Sequence, residues 1–311
     1  MADRLVTLRG GRQAGVQGRG DPVSQRIVLF CHPAPGSGGF DPDPRITAEW
    51  GVHLIGMDRP GYGASPPLPD DEWPTITDRA DDLAEYLGVI RAEAKAAGLP
   101  GPRHVGVVGW SAGGRVALAL ASAYPDLVDR VAVVATPAPQ SAVPWMPSEY
   151  TEAVPRLLTL PAAEAKHGLR SMLSSQMPED GETPDPQLVG ASSADAAVLQ
   201  QPGVRGRLER MLQDAYTQGP VGAADDMLSH ASDDWGFDLR SVRARTLLVY
   251  GAKDAVVPPA HGKWYRHRIH GAKLQVVRDV GHLVVVAAWQ DVLAHVAPDR
   301  GQSGADGPGG H

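Results

Sequence analysis

The residues with the clearest chemical potential lie at 109–114, where the chain reads Gly-Trp-Ser-Ala-Gly-Gly. An apolar run at 105–108 precedes them and an alanine-rich run at 115–124 follows, so this G-x-S-x-G pattern is expected where a β-strand turns sharply into an α-helix. Such a turn strains the serine backbone and exposes the hydroxyl at the carboxyl end of a sheet. The pattern therefore predicts that Ser111 is a nucleophile and not an incidental turn serine.

A serine hydroxyl needs a general base to take its proton and an acid to orient that base. For this kind of turn the expected chain order is serine, then aspartate or glutamate, then histidine. Asp254 follows an apolar run at 246–250, and His282 follows another at 274–277, which places both residues just past predicted strands. The order Ser111, Asp254, His282 predicts a catalytic triad.

The acid of this triad has alternatives. Asp254 precedes Val-Val-Pro, a context that also suits an aspartate that only caps a turn or a helix. Asp279 is the nearest rival, but it stands three residues before His282, from where reaching the imidazole would be awkward. Asp233 and Asp234 are weaker rivals. The chain order serine, acid, histidine and the positions at strand ends favour Asp254 as the acid. They also favour His282 as the base over its being a surface histidine.

Attack on a carbonyl group also requires hydrogen-bond donors for the oxyanion that forms. One donor is the backbone N–H of Ala112, directly after the nucleophile. The second is expected in the loop after an early strand, which reads CHPAPGSGG at 31–39. Because Pro33 and Pro35 have no N–H group, Ala34 is the predicted second donor. The loop does not read as a phosphate cradle, since it contains neither Gly-Lys-Ser/Thr nor G-x-G-x-x-G.

Together these motifs resemble the α/β-hydrolase fold superfamily, in its branch of serine hydrolases with a helical cap. The loop HPAPGS at 32–37 is similar to the oxyanion loop H-G-x-P-G-S, with Pro33 in place of the usual glycine. DRPGYGAS at 58–65 matches the loop D-x-x-G-x-G-x-S, and GAKDAVVP at 251–258 matches the acid loop G-x-x-D-x-x-V-P. The resemblance covers nearly the whole chain, and it implies that His32 braces the oxyanion loop through hydrogen bonds.

The elements that must position these residues alternate along the chain. Apolar residues at a spacing of three and four predict a helix over 75–98, and further helical patterns separate the later strands. This alternation predicts an α/β fold, with a mostly parallel eight-stranded sheet, helices on both faces and an antiparallel pair at its start. The strands are expected at 3–8, 12–18, 26–31, 51–57, 103–108, 130–135, 245–250 and 273–278.

A long stretch between the strands that end near 135 and begin near 245 exceeds what a simple crossover needs. We expect residues 137–235 to form an inserted helical cap over a core made of residues 1–136 and 236–297. Residues 298–311, rich in Gly, Ala, Ser and Asp, read as a disordered tail. Helices within the cap are expected at 149–175, 193–200 and 204–217.

An apolar acyl pocket is the expected substrate site beneath such a cap. Trp110, Trp145 and Met146 are its predicted lining residues, together with further cap methionines. The alternative for each of these side chains is that it packs the cap helices against one another or against the core.

Composition limits the functions that the chain can have. A net charge of −7 and a pI near 5.9 argue against nucleic acid or an anionic membrane as a partner. No apolar signal segment or transmembrane run is present, and one cysteine, Cys31, excludes an internal disulfide, so a cytoplasmic location is expected. Cys31 reads as buried packing. The histidines His261, His267 and His270 lie in a basic segment without metal-ligand spacing, which predicts a surface helix, no metal and no cofactor.

The site favours a serine hydrolase that works through an acyl-enzyme, most readily on a carboxylic ester with a small to medium apolar acyl group. Lactone, thioester, amide and C–C bond hydrolysis use the same machinery and remain open alternatives. A further alternative is a receptor of the same fold that binds a small molecule under the cap with little turnover. Serine at the turn argues against epoxide hydrolase or dehalogenase chemistry, for which the resembling family uses aspartate. The oligomeric state is not predicted.

Overall fold

A computed structural model describes residues 4–102, 105–175, 177–178 and 182–298, and its centre is one eight-stranded sheet. In chain order the strands are β1 (Arg4–Thr7), β2 (Gln13–Gly20), β3 (Ile27–Cys31), β4 (His53–Met57), β5 (Val105–Trp110), β6 (Val128–Val134), β7 (Arg245–Gly251) and β8 (Lys273–Val277). Their order across the sheet is β1-β2-β4-β3-β5-β6-β7-β8. β2 is antiparallel to β1 and β4, and all other neighbours are parallel, which confirms the predicted architecture. The predicted tail lies outside the described residues from 299 onward.

The central strands are apolar along their whole length because both faces of the sheet are covered. All residues of β3 and β5 are buried. Successive side chains of a strand point to opposite faces, so Val107 joins one apolar cluster and Val108 joins another. The clusters lie on the two faces of the sheet. Packing in both clusters fixes the strands β3, β5 and β7, whose ends lead into the loops with the predicted site residues.

Helices cover both faces, as predicted. They are α1 (Pro44–Trp50), α2 (Ile76–Ala96), α3 (Gly113–Ala123), α4 (Ser148–Thr151), α5 (Ala153–Leu157), α6 (Ala162–Ser174), α7 (Ala196–Leu199), α8 (Val204–Ala215), α9 (Val221–Ala231), α10 (Pro259–Arg266), α11 (Val284–Ala287) and α12 (Trp289–Val296). Short 3-10 turns lie at Arg9–Gly11, Pro186–Val189, Ser193–Asp195 and Leu239–Ser241. The predicted helix at 75–98 is α2, and Thr75 caps it by accepting a hydrogen bond from the N–H of Asp78. Among the described residues, no helix has the length and apolar character needed to cross a membrane.

The residues between β6 and β7, here called the insert (135–244), hold α4 to α9. The predicted helical stretch at 149–175 is divided into three helices, α4, α5 and α6. Pro155 lies in the first turn of α5, and Pro161 immediately precedes α6. Proline has no N–H to continue a preceding helix, so both positions favour new helix starts.

The insert has a small apolar cluster of its own, in which side chains of α4, α5 and α6 pack against α9. This packing makes α4 to α6 and α9 one unit. The cluster consists of Tyr150, Val154, Ala165, Leu169, Ala224 and Leu228.

Candidate active site

The predicted nucleophile stands at the turn between β5 and α3. Ser111 has a backbone φ of 52°, in the left-handed region that residues other than glycine seldom adopt, and its side chain is half-buried. The neighbouring glycines permit close packing of this turn. A Cβ atom at Gly113 would collide with the carbonyl oxygen of Cys31, and one at Gly109 would collide with the carbonyl oxygen of Gly113. The turn thus presents Ser111 at the carboxyl end of the sheet, as the G-x-S-x-G pattern predicts.

Asp254 and His282 lie in contact after the ends of β7 and β8. His282 Nδ1 is 2.8 Å from Asp254 Oδ2, and the two residues are 2% and 4% exposed. The other carboxylate oxygen accepts hydrogen bonds from the N–H groups of Val256 and Val257 at 2.9 and 2.8 Å. Burial acts to raise the pKa of Asp254, but His282 and these two N–H groups hold that pKa below its usual value. Asp254 is therefore an ionised acceptor that orients the imidazole of His282.

The rival acids make other contacts. Asp279 has a φ of 58°, its side chain is 79% exposed, and it pairs with Lys253 at 2.8 Å. Asp233 and Asp234 are also exposed. The contact of Asp254 with His282 distinguishes it from all three.

The insert supports the loop that carries His282, a contact that the sequence analysis did not predict. Asp195 is fully buried, and its Oδ1 accepts hydrogen bonds from the N–H groups of Gly281 and Leu283 at 2.9 and 3.1 Å. A Cβ atom on Gly190 would lie 2.9 Å from Cδ2 of His282, so the insert also packs directly against the ring. One signal was available, since Ser192 and Asp195 have the spacing of a capping box and form one.

The predicted oxyanion loop is braced by His32, as the family resemblance implies. His32 has no exposed surface; its Nδ1–H donates to the carbonyl oxygen of Pro33 at 2.8 Å, and its Nε2 accepts the N–H of Arg59 at 3.1 Å. Burial and the nearby Arg59 lower the pKa of His32 well below its usual value, so the ring is neutral. The loop brings Ala34, half-buried, to the same end of the sheet as Ala112. No backbone hydrogen bond from either amide is found in the described part of the chain.

Buried charged residues that the sequence analysis missed surround this end of the sheet. Arg115 in α3 has no exposed surface and donates to three backbone carbonyls of the insert, those of Pro137, Ala138 and His230, at 3.1, 3.0 and 2.6 Å. These carbonyls lie near the start and near the end of the insert, so Arg115 ties both ends to the helix that follows Ser111. Isolated arginines and acidic residues in helical segments have no motif that would have identified them.

The predicted pocket residues lie in different surroundings. Trp110 has no exposed surface; its indole N–H donates to the carbonyl oxygen of His282 at 3.2 Å, and its ring packs against Phe40. Trp110 therefore supports the His282 loop and leaves no surface for a substrate. Trp145 is half-buried, with Arg115 5.5 Å from its ring centre. Met146 packs against the apolar cluster of the insert, which was the stated alternative.

The basic segment with three histidines begins with the helix α10, which ends at Arg266 before His267 and His270, and the expectation of a surface position is wrong for His261. This side chain has no exposed surface, and its Nδ1 accepts the N–H of Ala138 at 2.9 Å, whereas His267 and His270 are exposed. Helical spacing places one face of α10 against β7 and the other in water. Within the described residues, no group of His, Cys, Asp and Glu side chains could hold a metal ion. Cys31 is buried, as predicted.

Comparisons with known proteins agree with this fold. The profile of the alpha/beta hydrolase fold matches residues 26–287, and the chain belongs to this family. It is 29% identical over 246 residues to the pimeloyl-[acyl-carrier protein] methyl ester esterase of Neisseria meningitidis serogroup B, covering 77% of this chain and 78% of that protein. The protein of the same name from Chromobacterium violaceum is 28% identical over 264 residues, covering 81% of this chain and 85% of the relative.

A solved hydrolase from Pseudomonas aeruginosa has the same fold, with a TM-score of 0.64 at 19% identity, covering 94% of this chain and 97% of that structure. The chain is an α/β hydrolase, and the two curated relatives are carboxylic ester hydrolases.

Proposed function

We propose that the chain hydrolyses carboxylic esters through an acyl-enzyme on Ser111, with His282 as general base and Asp254 as the acid that orients it. The amides of Ala34 and Ala112 are the proposed oxyanion donors. The observation that carries this proposal is the 2.8 Å contact between His282 Nδ1 and Asp254 Oδ2. That contact keeps the proton on Nδ1 and leaves Nε2 free to act as a base.

The reaction proceeds in two halves. His282 Nε2 takes the hydroxyl proton as the oxygen of Ser111 attacks the ester carbonyl, and Asp254 stabilises the imidazolium that forms. The oxyanion accepts hydrogen bonds from the Ala34 and Ala112 amides. Collapse of this intermediate expels the alcohol, which takes the proton from His282. Water then attacks the acyl group, its proton passes to His282, and Ser111 is regenerated with release of the carboxylic acid.

The proposed substrates are esters of a small alcohol with a small to medium apolar acyl group. Relatives 28–29% identical to the chain are methyl ester esterases, which makes methyl esters the first class to examine. We propose residues 137–235 as a cap that selects the acyl group, supported by the direct packing of Gly190 against His282. Water is the only co-substrate required, and lactones and thioesters are the related substrates against which methyl esters should be compared.

The test is the intact mass of the wild-type protein and of Ser111→Ala after treatment with a fluorophosphonate, followed by a substrate panel. We expect one adduct on the wild type and none on the variant, with hydrolysis of methyl esters falling by more than about 10⁴-fold in Ser111→Ala. An adduct on both proteins, or undiminished hydrolysis by the variant, would exclude Ser111 as the nucleophile. Faster turnover of lactones or thioesters would reassign the substrate class. Stoichiometric binding without turnover would favour the receptor alternative.

A further inference from the structure

Helix α9 of the insert contacts the turn that carries Ala112 directly, and it reaches the loop that carries Ala34 through Arg59. Asp226 and His230 are four residues apart and therefore lie on one face of the helix. Both are buried, at 5% or less exposed. The helix packs closely here, because a Cβ atom on Gly222 would lie 2.5 Å from Cδ2 of Tyr62, in the loop that follows β4.

On the side of the oxyanion loop, Asp226 acts on Arg59. The carboxylate accepts hydrogen bonds from Arg59 Nε and Nη2, at 3.0 and 2.6 Å, and from the hydroxyl of Tyr62 at 2.8 Å. The guanidinium also donates from Nη1 to the carbonyl oxygen of His32 at 2.6 Å and from Nη2 to that of Pro33 at 2.8 Å. A guanidinium has a fixed planar geometry, so a carboxylate held against it sets where its other N–H groups point.

The carbonyl of Pro33 belongs to the peptide group that carries the N–H of Ala34. Two donors hold this oxygen, Arg59 Nη2 and His32 Nδ1, each at 2.8 Å. In a planar trans peptide the N–H points opposite to the C=O, so fixing the oxygen fixes the direction of the Ala34 N–H. A charged donor on the carbonyl also polarises the peptide group and makes its N–H a stronger donor.

On the side of the nucleophile, His230 reaches the backbone beside Ser111. Its Nε2 is 3.0 Å from the carbonyl oxygen of Ala112, and Arg115 Nη1 donates to the carbonyl oxygen of His230 at 2.6 Å. Burial and the nearby Arg115 lower the pKa of His230 to about 4, so the ring is neutral near pH 7 and has one N–H. Nδ1 lies 2.8 Å from the carbonyl oxygen of Asp226, so both ring nitrogens face carbonyl oxygens and the one N–H can donate to only one of them. Donation from Nε2 to Ala112 is the tautomer that the His230 variants below test.

We propose that Asp226 and His230 are positioning residues for the oxyanion hole: Asp226, through Arg59, sets the direction of the Ala34 N–H, and His230 anchors Ala112 at its carbonyl, in the peptide group that follows the one carrying the Ala112 N–H. This inference rests on the proposed function. It makes one helix of the insert a part of the structure that stabilises the transition state, without contact to the substrate.

The first test is Asp226→Asn, with Arg59→Lys as a second variant that keeps the charge pair but loses the forked donor. We expect kcat on a methyl ester to fall ~10- to 10²-fold, because small misplacement of a donor has this effect, while KM changes little. The preference for an oxo ester over the matching thiono ester should fall in parallel, since sulfur accepts hydrogen bonds from the oxyanion donors poorly.

Asp82→Asn is the matched control. Asp82 is 5% exposed and pairs with Arg12, whose Nη1 donates to it at 2.7 Å, so the control also removes a buried carboxylate from an arginine. We expect a comparable loss of thermal stability in both variants, with a change in the oxo-to-thiono ratio only in Asp226→Asn. An unchanged ratio in Asp226→Asn and Arg59→Lys, or an equal change in Asp82→Asn, would overturn the proposal.

The second test compares His230→Gln with His230→Leu. Glutamine retains an N–H that can bond the carbonyl of Ala112, so it should keep more of the kcat than leucine. His295→Leu is the control, because His295 also bonds a backbone carbonyl, that of Arg245 at 2.8 Å, at the opposite end of the sheet. Equal kcat losses in the two His230 variants would contradict the positioning role.

A readout that needs no turnover separates this inference from the proposed function. In protein labelled with ¹⁵N-alanine, the amide resonance of Ala34 should shift in Asp226→Asn and that of Ala112 in His230→Leu, with neither shifting in Asp82→Asn. Unshifted resonances would overturn the positioning role even in an active enzyme. If the resonances shift in the variants but the wild-type protein forms no fluorophosphonate adduct, the proposed function is rejected instead.

Discussion

On one side of Ser111, the proposed acid and base meet through their side chains, whereas on the other side the proposed donors are backbone amides. Asp254 and His282 form one direct hydrogen bond at 2.8 Å. Ala34 and Ala112 have no functional side chains, and the proposed positioning contacts are made to backbone carbonyls, that of Pro33 beside Ala34 and that of Ala112 itself. Both sides are nevertheless supported by the insert, through Asp195 on the first and α9 on the second.

This difference shows where sequence carries information about chemistry. A side chain that does chemistry must be of one type at one place, so it leaves a motif. A backbone amide can come from any residue except proline, and the groups that orient it can come from any element that reaches it. Only the folded chain therefore reveals the residues that could orient the proposed oxyanion donors, although the motifs predict the donors themselves.

The largest expected effect lies on the acid and base side. Asp254→Asn should lower kcat on a methyl ester by ~10⁴-fold, because the amide no longer holds the proton on Nδ1 of His282. Asp279→Asn is the matched control, since Asp279 is exposed and pairs with Lys253, and it should change kcat less than about 2-fold. Steady-state kinetics of both variants decides the assignment. A greater loss in Asp279→Asn would move the acid to the other residue.

A smaller effect is expected where the insert supports the His282 loop. Oδ2 of Asp195 accepts the N–H of Ser192, and Oδ1 accepts those of Gly281 and Leu283. In Asp195→Asn an amide nitrogen replaces one of these oxygens, so one of the two sets of hydrogen bonds is lost. We expect kcat to fall ~10-fold through displacement of the ring. Asp238 caps the 3-10 turn Leu239–Ser241 and is exposed to water, so Asp238→Asn is the control for the loss of a capping carboxylate. An equal response of the two variants would show that Asp195 supports stability alone.

Asp225 tests whether only one face of α9 serves the site. It is adjacent to Asp226 but lies 3.8 Å from Lys166 and 3.7 Å from Arg170, and burial raises its pKa to about 6. Because the folded pKa exceeds the unfolded value, this carboxyl stabilises the fold below about pH 4, and its contribution falls as the pH rises through 6.

The unfolding free energy of the wild type relative to Asp225→Asn should therefore fall by about 2–3 kcal/mol between pH 4 and pH 6.5. Denaturant titrations across this range measure the difference, and the oxo-to-thiono ratio should stay at its wild-type value. A changed ratio would mean that α9 acts on the oxyanion side as a whole and not through the Asp226 face.

The smallest effect is expected at Met146. Its side chain packs in the apolar cluster of the insert, so Met146→Leu should cost less than about 1.5 kcal/mol of stability and leave the preferred acyl length unchanged. A panel of methyl esters graded by acyl length provides the measurement. A shifted optimum would restore Met146 as a pocket residue and extend the site further into the insert.

The sheet and the positions of its functional loops could be predicted because their signals are local. Apolar runs locate β3 and β5, and the glycine pattern locates the turn at Ser111. The insert was harder, since Pro155 and Pro161 divide a helical pattern that looks continuous. The pairing of Arg59 with Asp226 could not be predicted, because no pattern links two charged residues so distant in the chain and tertiary packing alone brings them together.

The reactivity of the single cysteine, Cys31, reports on local opening of the sheet. Cys31 ends β3, pairs in register with Gly109 of β5 and directly precedes the oxyanion loop. Burial raises the pKa of its thiol to about 12, so the folded chain contains little of the thiolate, the form that reacts with alkylating reagents. Alkylation then requires an opening that exposes Cys31, and the fraction of molecules with the added mass measures how many have opened. Pulse alkylation at increasing denaturant would thus report the opening of the sheet beside the proposed active site, without an engineered cysteine.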